Sequence, residues 1–521
     1  MDELFGPLSA FDAFFLSLER ARTPMHLGAV GIIEPGVLRA EDGSVDLARL
    51  RRHVDRRFAG IPKMHRRVAT GFHPFAAPRW VLDQSFDVER HVRLATVPPP
   101  GDREAFLRTV GELMARPLDV GQPLWELWAL DGLADGRIGL LEKLHHALAD
   151  GLAGIGTAAV LFDVDPDAGT GADGDDRVRG RASAGAPGTP GEVPGEAPGE
   201  VGPDGGAGVR VYRTVRSAVS SVVGSAMIPL VGSAVGTARS LAGDARAAVE
   251  LALHPQDILA RVDRVLAVDA PELARRSVRD AAGLAGLLAP GVRSSGLVRA
   301  RTAPKRRVAV VTRQLSEVHD AARLHGATVN EAVLAAVGSG IGDLVAGRGI
   351  DVADRRVLIL VPVGYGHETQ AELGNNVAAL RVAVPIGGLD TLDRLDQVVD
   401  AVDAARRAHQ TDGVDALLAA LGPLMPWGGP AVAALIHHQP FVDVVVTNVP
   451  GPPVPLYLQG SRLTDLVPLM PLAGNLPLGV AVLSYVDTLN LGVIADPDAV
   501  PDLDRFAAGI AGFLDELVAL G

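Results

Sequence analysis

The sequence predicts an α/β protein with mixed sheets, divided into two halves by a long connector. Three observations lead there. Short runs rich in Val, Ile and Leu mix with helical patterns, without the regular βαβ repeat of a doubly wound sheet. The stretch 164–208, "VDPDAGTGADGDDRVRGRASAGAPGTPGEVPGEAPGEVGPDGGAG", is Gly, Pro, Ala and acid. So few large apolar residues cannot offset the entropy of ordering, so it reads as a disordered linker. Of the 521 residues, 48% are hydrophobic, which is material for more than one sizeable core.

Taken in order, residues 1–163 form the first half. Within it, 137–145 ("RIGLLEKLH") is short and apolar enough for a strand, and Asp150-Gly151 opens a helix running to Phe162. After the linker, 209–300 is rich in Ala, Val, Leu and Arg at helical spacing and reads as a helical connector. Its segment Ser217 to Ala238 carries no charge. Ser and Gly dilute it and Pro229 breaks it, so a buried or interfacial helix fits better than a membrane span. Residues 301–521 form the second half. Strands are predicted at 306–314, 356–363, 375–384 and 442–449, with a hairpin of 478–485 into 489–495. Helices are predicted at 315–325, 328–346, 390–410 and 501–518. The last places Leu503, Phe506, Ile510, Phe513, Leu514 and Leu517 on one face.

Composition and absent motifs exclude whole classes of function. A net charge of −13 repels phosphate backbones, and basic clusters are short, so nucleic acid is a poor partner. With no cysteine there is no disulfide, thiolate metal site or cysteine nucleophile. The start, "MDELFGPLSAFDAFFLSLERA", lacks the basic segment and long apolar core of a signal peptide, which predicts a cytoplasmic chain. No GxSxG elbow, Walker A loop or HExxH helix occurs, and the one GxGxxG match lies in the linker and follows no strand.

What remains is "LEKLHHALADGLAG" (141–154), where His145-His146 precede Asp150-Gly151. A neutral imidazole titrating near working pH can take a proton from a hydroxyl as it attacks an activated carbonyl. Asp150 can hold the turn, and Gly151 lets backbone pass close to the histidines. Taken alone the pair leaves other readings open. The chain has 14 histidines, and "LIHHQPFVD" carries a second pair, His437-His438, with no glycine after Asp443. Metal binding is a further reading, although neighbours on a strand point to opposite faces and one ion would not readily take both.

The surrounding residues sharpen the choice. "HHALADG" fits the HHxxxDG signature of the CoA-dependent acyltransferase superfamily, which includes chloramphenicol acetyltransferase-like enzymes and peptide-synthetase condensation domains. "RPLDVGQPLWELWALDGLADGR" (116–137) resembles the PLW block of the bacterial wax ester synthase/diacylglycerol acyltransferase family. "LSAFDAFFLSLERARTPMHLGAVGIIE" (8–34), "TVNEAVLAAVGSGI" (328–341), "NVPGPPVPLYLQG" (448–460) and "PLGVAVLSYVDTLNLGVIADP" (477–497) are similar to further blocks of that family, in the same order.

The resemblance implies two chloramphenicol-acetyltransferase-like halves with a tunnel at their interface. It implies an O-acyltransferase moving a fatty acyl group from acyl-CoA to a fatty alcohol or diacylglycerol, with acyl-CoA as co-substrate and no metal or other cofactor. By position, His146 matches the general base, His145 a supporting histidine, Asp150 the motif's structural aspartate and Gly151 its partner. Asn330 and Glu331 match the helix motif and are expected near substrate. Peripheral contact with a membrane or lipid droplet fits substrates that partition into lipid.

Two departures keep alternatives in view. Glu331 stands where the family has Asp, and Gly364-Tyr365-Gly366 stand where it tends to carry Ser and Arg. An acyltransferase acting on a specialised metabolite, or a condensation-type enzyme using a carrier-protein thioester, shares the fold and the base. A non-catalytic lipid-binding homologue would share the scaffold alone. Trp125 and Trp128 read as core residues, and Ser484-Tyr485 as part of the hairpin.

Overall fold

A computed structural model describes residues 5–19, 22–69, 78–148, 160–167, 298–364, 377–408, 437–439 and 441–521. Asp150, Gly151, nearly all of the linker and connector, and Tyr365-Gly366 lie outside these described residues.

The first half runs β1 (Phe5–Pro7), α1 (Ala10–Leu18), β2 (His26–Ile33), α2 (Leu47–Phe58), β3 (Arg66–Ala69), β4 (Arg79–Leu82), α3 (Val88–His91), β5 (Val92–Thr96), α4 (Arg103–Ala115), β6 (Trp125–Asp131) and β7 (Ile138–His145). The second half opens with β8 (Arg307–Gln314), α5 (Leu315–Leu324), α6 (Val329–Ala346), β9 (Arg356–Gly364), β10 (Val377–Pro385) and α7 (Thr391–Arg407). It continues with β11 (Val444–Val449), β12 (Tyr457–Leu458), β13 (Ser461–Leu469), β14 (Leu478–Tyr485), β15 (Thr488–Ala495) and α8 (Leu503–Leu520). Every second-half strand and helix expected from the periodicity is present with ends shifted by a few residues at most. β12 and β13 were not expected.

Those two strands change the architecture. One six-stranded sheet has the order β10-β9-β11-β14-β15-β8, all from the second half. The other is β12-β13-β2-β7-β6-β5, so the second half supplies two strands to the first half's sheet. A small third sheet is β1-β4-β3. β13 runs antiparallel to β2, from Leu463 opposite Ile33 to Leu469 opposite Gly28, with a bulge between Leu463 and Asp465. The boundary near 301 therefore divides the chain but not the space it fills. The crossing is made by the Pro-rich "PGPPVP" (450–455), whose fixed φ angles reduce the entropy lost on ordering it.

Packing holds the crossing in place. The Tyr485 hydroxyl accepts from Leu456 N–H (2.9 Å) and donates to the Leu463 carbonyl (2.9 Å), tying the end of β14 to the strap and to β13. A Cβ at Gly492 in β15 would collide with the Pro468 carbonyl of β13, so the two sheets meet at a distance only glycine allows. Three cores result. One lies within the second half around α6 and α8, and another in the first around Trp125 and Phe58. The third joins the lobes, packing Phe106, Val110, Met114 and Trp128 against Val308, Val467, Leu469, Ala481 and Ile494. α6 is long and apolar enough to cross a membrane, but most of it is enclosed in the second-half core.

Candidate active site

β7 is buried along its whole length, flanked by β2 and β6. Its register with β2 sets His145 opposite His26. His145 ends the strand, its N–H donating to the Leu124 carbonyl (3.0 Å), and the chain then turns with Leu148 N–H on the His145 carbonyl (2.8 Å). His146 therefore sits just past the strand, on the turn. Its own N–H donates to the Met25 carbonyl (2.8 Å), and Lys63 Nζ reaches the Leu148 carbonyl (3.4 Å).

The two histidines have different environments. His145 is wholly buried, whereas His146 keeps part of its surface open. His145 Nδ1 accepts a hydrogen bond from Ala147 N–H (2.9 Å), so that nitrogen is unprotonated and the ring carries its proton on Nε2. His145 Nε2 lies 3.3 Å from Glu19 Oε2, and His26 Nε2 lies 3.5 Å from Glu19 Oε1. Both are close electrostatic contacts rather than well-aligned hydrogen bonds. The edges of the His26 and His145 rings meet at a centroid distance of 6.2 Å, with the carboxylate between their nitrogens.

α1 brings Glu19 and Phe15 to this place. The helix starts at a capping box, where Ser9 Oγ accepts from Asp12 N–H (3.0 Å) and Asp12 Oδ2 accepts from Ser9 N–H (3.2 Å). The same Asp12 oxygen accepts from Trp80 Nε1 (3.0 Å), anchoring the helix to β4. Phe15 and Glu19 are four residues apart and so share a face. Phe15 stacks on the His146 ring, centroids 3.6 Å apart and planes 14° from parallel, while Glu19, at the C-cap, faces His145.

Electrostatics follow from burial. His146 is pushed down to about 4, chiefly by desolvation, with His145 adding a smaller effect. His26 is likewise lowered to about 4 by burial, against the partial opposition of Glu19. Burial alone would raise the Glu19 carboxyl, but His145 and His26 together outweigh it and hold it well below the usual carboxylate range. At neutral pH Glu19 is therefore a buried anion, and the His26 and His146 rings are neutral.

Lys143, two residues before His145, has no exposed surface and donates to the carbonyls of Leu113 (3.1 Å) and Arg116 (2.6 Å) at the C-terminal end of α4. Its third partner is Glu126 Oε2 at 3.3 Å, and burial lowers its pKa. By holding the end of α4 it places Leu118, whose N–H points to His26 Nε2 (3.3 Å).

The second half reaches the same spot. His437 Nε2 lies 3.2 Å from the Leu18 carbonyl and must donate to it, while Arg306 donates to the Arg22 carbonyl (3.1 Å). His437, of the second His-His pair, thus supports the C-terminal end of α1 beside the first pair.

Glu331 stands in the first turn of α6. It closes the capping box of α6, accepting from Thr328 N–H (2.8 Å) and Thr328 Oγ1 (2.9 Å), and its other oxygen is 3.7 Å from Arg406. Its carboxylate is committed to starting a helix. Asn330 lies on the first turn of that helix with a buried Oδ1 that makes no hydrogen bond. Trp125 and Trp128 are core residues: Trp125 donates to the Met64 carbonyl (2.8 Å) and Trp128 to Glu126 (2.9 Å). Among the described residues no three His, Asp or Glu side chains are grouped to hold a metal ion.

The residues that the sequence reading did not single out are Phe15, Glu19 and His26. Their signal was available as the i, i+4 spacing of Phe15 and Glu19 on an apolar helix, with an adjacent histidine at the start of a strand.

Known proteins resemble this chain in sequence and in fold. Residues 8–333 match the wax ester synthase/diacylglycerol acyltransferase catalytic domain, and 373–518 the WS/DGAT C-terminal domain. A probable diacylglycerol O-acyltransferase of Mycobacterium tuberculosis is 28% identical over 523 residues, covering 98% of this chain and 96% of its own. A second from that organism is 26% identical, covering 97% of each. In three dimensions the chain is similar to the wax ester synthase/diacylglycerol acyltransferase of Marinobacter aquaeolei (TM-score 0.63, 19% identity, 98% of each chain). It also shares its fold with the first condensation domain of the calcium-dependent antibiotic synthetase (TM-score 0.56, 16% identity, 99% and 96% covered). With both domain signatures matched over most of its length, the chain belongs to the wax ester synthase/diacylglycerol acyltransferase family and is an acyltransferase.

Proposed function

We propose that the protein transfers a fatty acyl group from acyl-CoA to the hydroxyl of a diacylglycerol or fatty alcohol, with His146 as general base. The single observation that carries the assignment is the contrast in the HHxxxDG loop: His145 is sealed in the protein, while His146 is a neutral imidazole with surface to meet a substrate. In the reaction His146 takes the acceptor's hydroxyl proton as its oxygen attacks the thioester carbonyl. Collapse of the tetrahedral intermediate breaks the C–S bond, and the imidazolium returns the proton to the departing CoA sulfur, so no covalent enzyme intermediate is needed. Asp150 holds the turn and Gly151 the close backbone approach in this reading, and the tunnel expected between the lobes would carry the two substrates to the loop.

The test is CoA release across a panel of acyl-CoAs and hydroxyl acceptors, with His146→Ala as control. Loss of turnover in a folded His146→Ala protein is expected, and unchanged turnover would sink the assignment. Acyl groups on a carrier protein, added to the same panel, test the condensation-type alternative.

We further propose a cytoplasmic protein that touches lipid surfaces peripherally, because its acceptors dissolve in lipid rather than water. Flotation of the full chain with liposomes containing diacylglycerol is expected. Failure to float at low salt would argue against it.

A further inference from the structure

Glu19 is the one carboxylate placed between two histidines in the described residues around the HHxxxDG loop, and two routes connect it to His146. The first passes through His145. Glu19 Oε2 faces the Nε2–H of that ring, whose Nδ1 takes the Ala147 N–H and so shapes the turn on which His146 stands. The second passes through the peptide backbone. Glu19 Oε1 accepts from Met25 N–H (3.4 Å), and the carbonyl of the same residue accepts the His146 N–H (2.8 Å).

Burying a carboxylate is unfavourable unless its neighbours reward the charge, so Glu19 would be a poor choice for packing alone. Toward it point the His145 Nε2–H from β7 and the Met25 N–H, with the His26 ring of β2 beside it. The second half braces the backbone on either side of it, with His437 at the Leu18 carbonyl and Arg306 at the Arg22 carbonyl. A position supported by four separate elements is costly to displace and suited to fixing a geometry.

Resting on the assignment of His146 as base, we propose that Glu19 is a positioning residue for acyl transfer. Clamped by His26 and His145, its carboxylate holds His145 in the Nε2–H tautomer and Met25 in place, and through both fixes the His146 ring. The logic is that of an outer carboxylate orienting a histidine, here with one histidine and one peptide interposed. Glu19 touches no reacting atom. Its effect appears in the chemical step rather than in binding.

Glu19→Gln keeps the shape and removes the charge. An amide can turn its own N–H toward His145 Nε2, which removes the acceptor for that ring's Nε2–H and weakens the preference for this tautomer. The expected result is a fall in kcat of roughly 10- to 100-fold, the range seen when outer orienting groups are lost, with KM for acyl-CoA within about threefold. Glu19→Asp should restore part of kcat. Nitrogen-15 shifts of the histidine rings in the full chain, with His145 identified by a His145→Gln difference, should show His145 moving from a single Nε2–H form toward a tautomer mixture. Should Glu19→Gln not fold, Glu19→Asp takes its place, with a smaller fall of about tenfold.

Unchanged kcat, or a fall in kcat with His145 still wholly Nε2–H, overturns the proposal. His146→Ala, assayed in parallel, separates the two readings. If it retains activity, the base assignment fails. If it is inactive while Glu19→Gln is normal, only the role of Glu19 fails.

Discussion

Phe15 and His146 lie face to face, ring centroids 3.6 Å apart. The contact joins the first helix of the chain to the turn after its most buried strand, across about 130 residues of sequence. It holds the imidazole plane and covers one face with hydrocarbon, contributing to the desolvation that lowers the His146 pKa. Phe15→Leu keeps an apolar side chain but removes the flat surface. Turnover should fall by roughly tenfold through loss of ring orientation, with little change in the folded fraction measured by circular dichroism.

The acid limb of the pH–rate profile should report the same burial. A base works only while neutral, and His146 stays neutral until the pH approaches about 4. Plotted for free enzyme, kcat/KM should be flat from neutrality down past 6.5 and decline only near 4. A limb centred at the ordinary histidine value would show that His146 is more solvated than the structure indicates.

Stability should change over the window between those two values. His26 and His146 bind protons at 6.5 when unfolded but only near 4 when folded, so between these pH values the unfolded chain holds more protons. Stability therefore rises with pH across 4 to 6.5 and is lost on acidification. Glu19, depressed when folded, adds a loss in the same direction once the pH falls below its unfolded value of about 4.5. Denaturant titrations at intervals through this range, in wild type and His26→Asn, should show the dependence and its reduction in the variant.

Lys143→Met tests the support behind the site. It leaves two helix-end carbonyls and Glu126 without their cation inside the protein. Removing one partner from such a buried arrangement costs about 3 kcal/mol, readable as a lower denaturation midpoint.

Glu331→Ala separates a capping role from substrate contact. Loss of the capping box should destabilise the fold by about 1 kcal/mol and leave KM for both substrates unchanged. A KM raised several-fold with unaltered stability would place Glu331 at the substrate site.

Local chemistry was legible in the chain. Short apolar runs marked β7, β8 and the β14–β15 hairpin, because a strand's length and its apolar residues are written in its own sequence. The same holds for α6 and α8, whose apolar faces and N-terminal signals are local. His145 and His146 were likewise marked by the fixed spacing of their loop. What the sequence by itself determined was the class of fold, the two chain halves and the histidine pair.

Tertiary structure decided what those pieces meet. β13 leaves its own half because hydrogen bonding to β2 depends on a partner more than 400 residues away in the chain, which no local pattern encodes. The division of labour within the pair is of the same kind. His145 and His146 are chemically identical in the sequence, and their surroundings distinguish them: Glu19 and His26 stand beside one ring, while Phe15 stacks on the other. Burial and charge at a side chain are properties of the space around it, and here that space is built by β2, by α1 and by the second half of the chain.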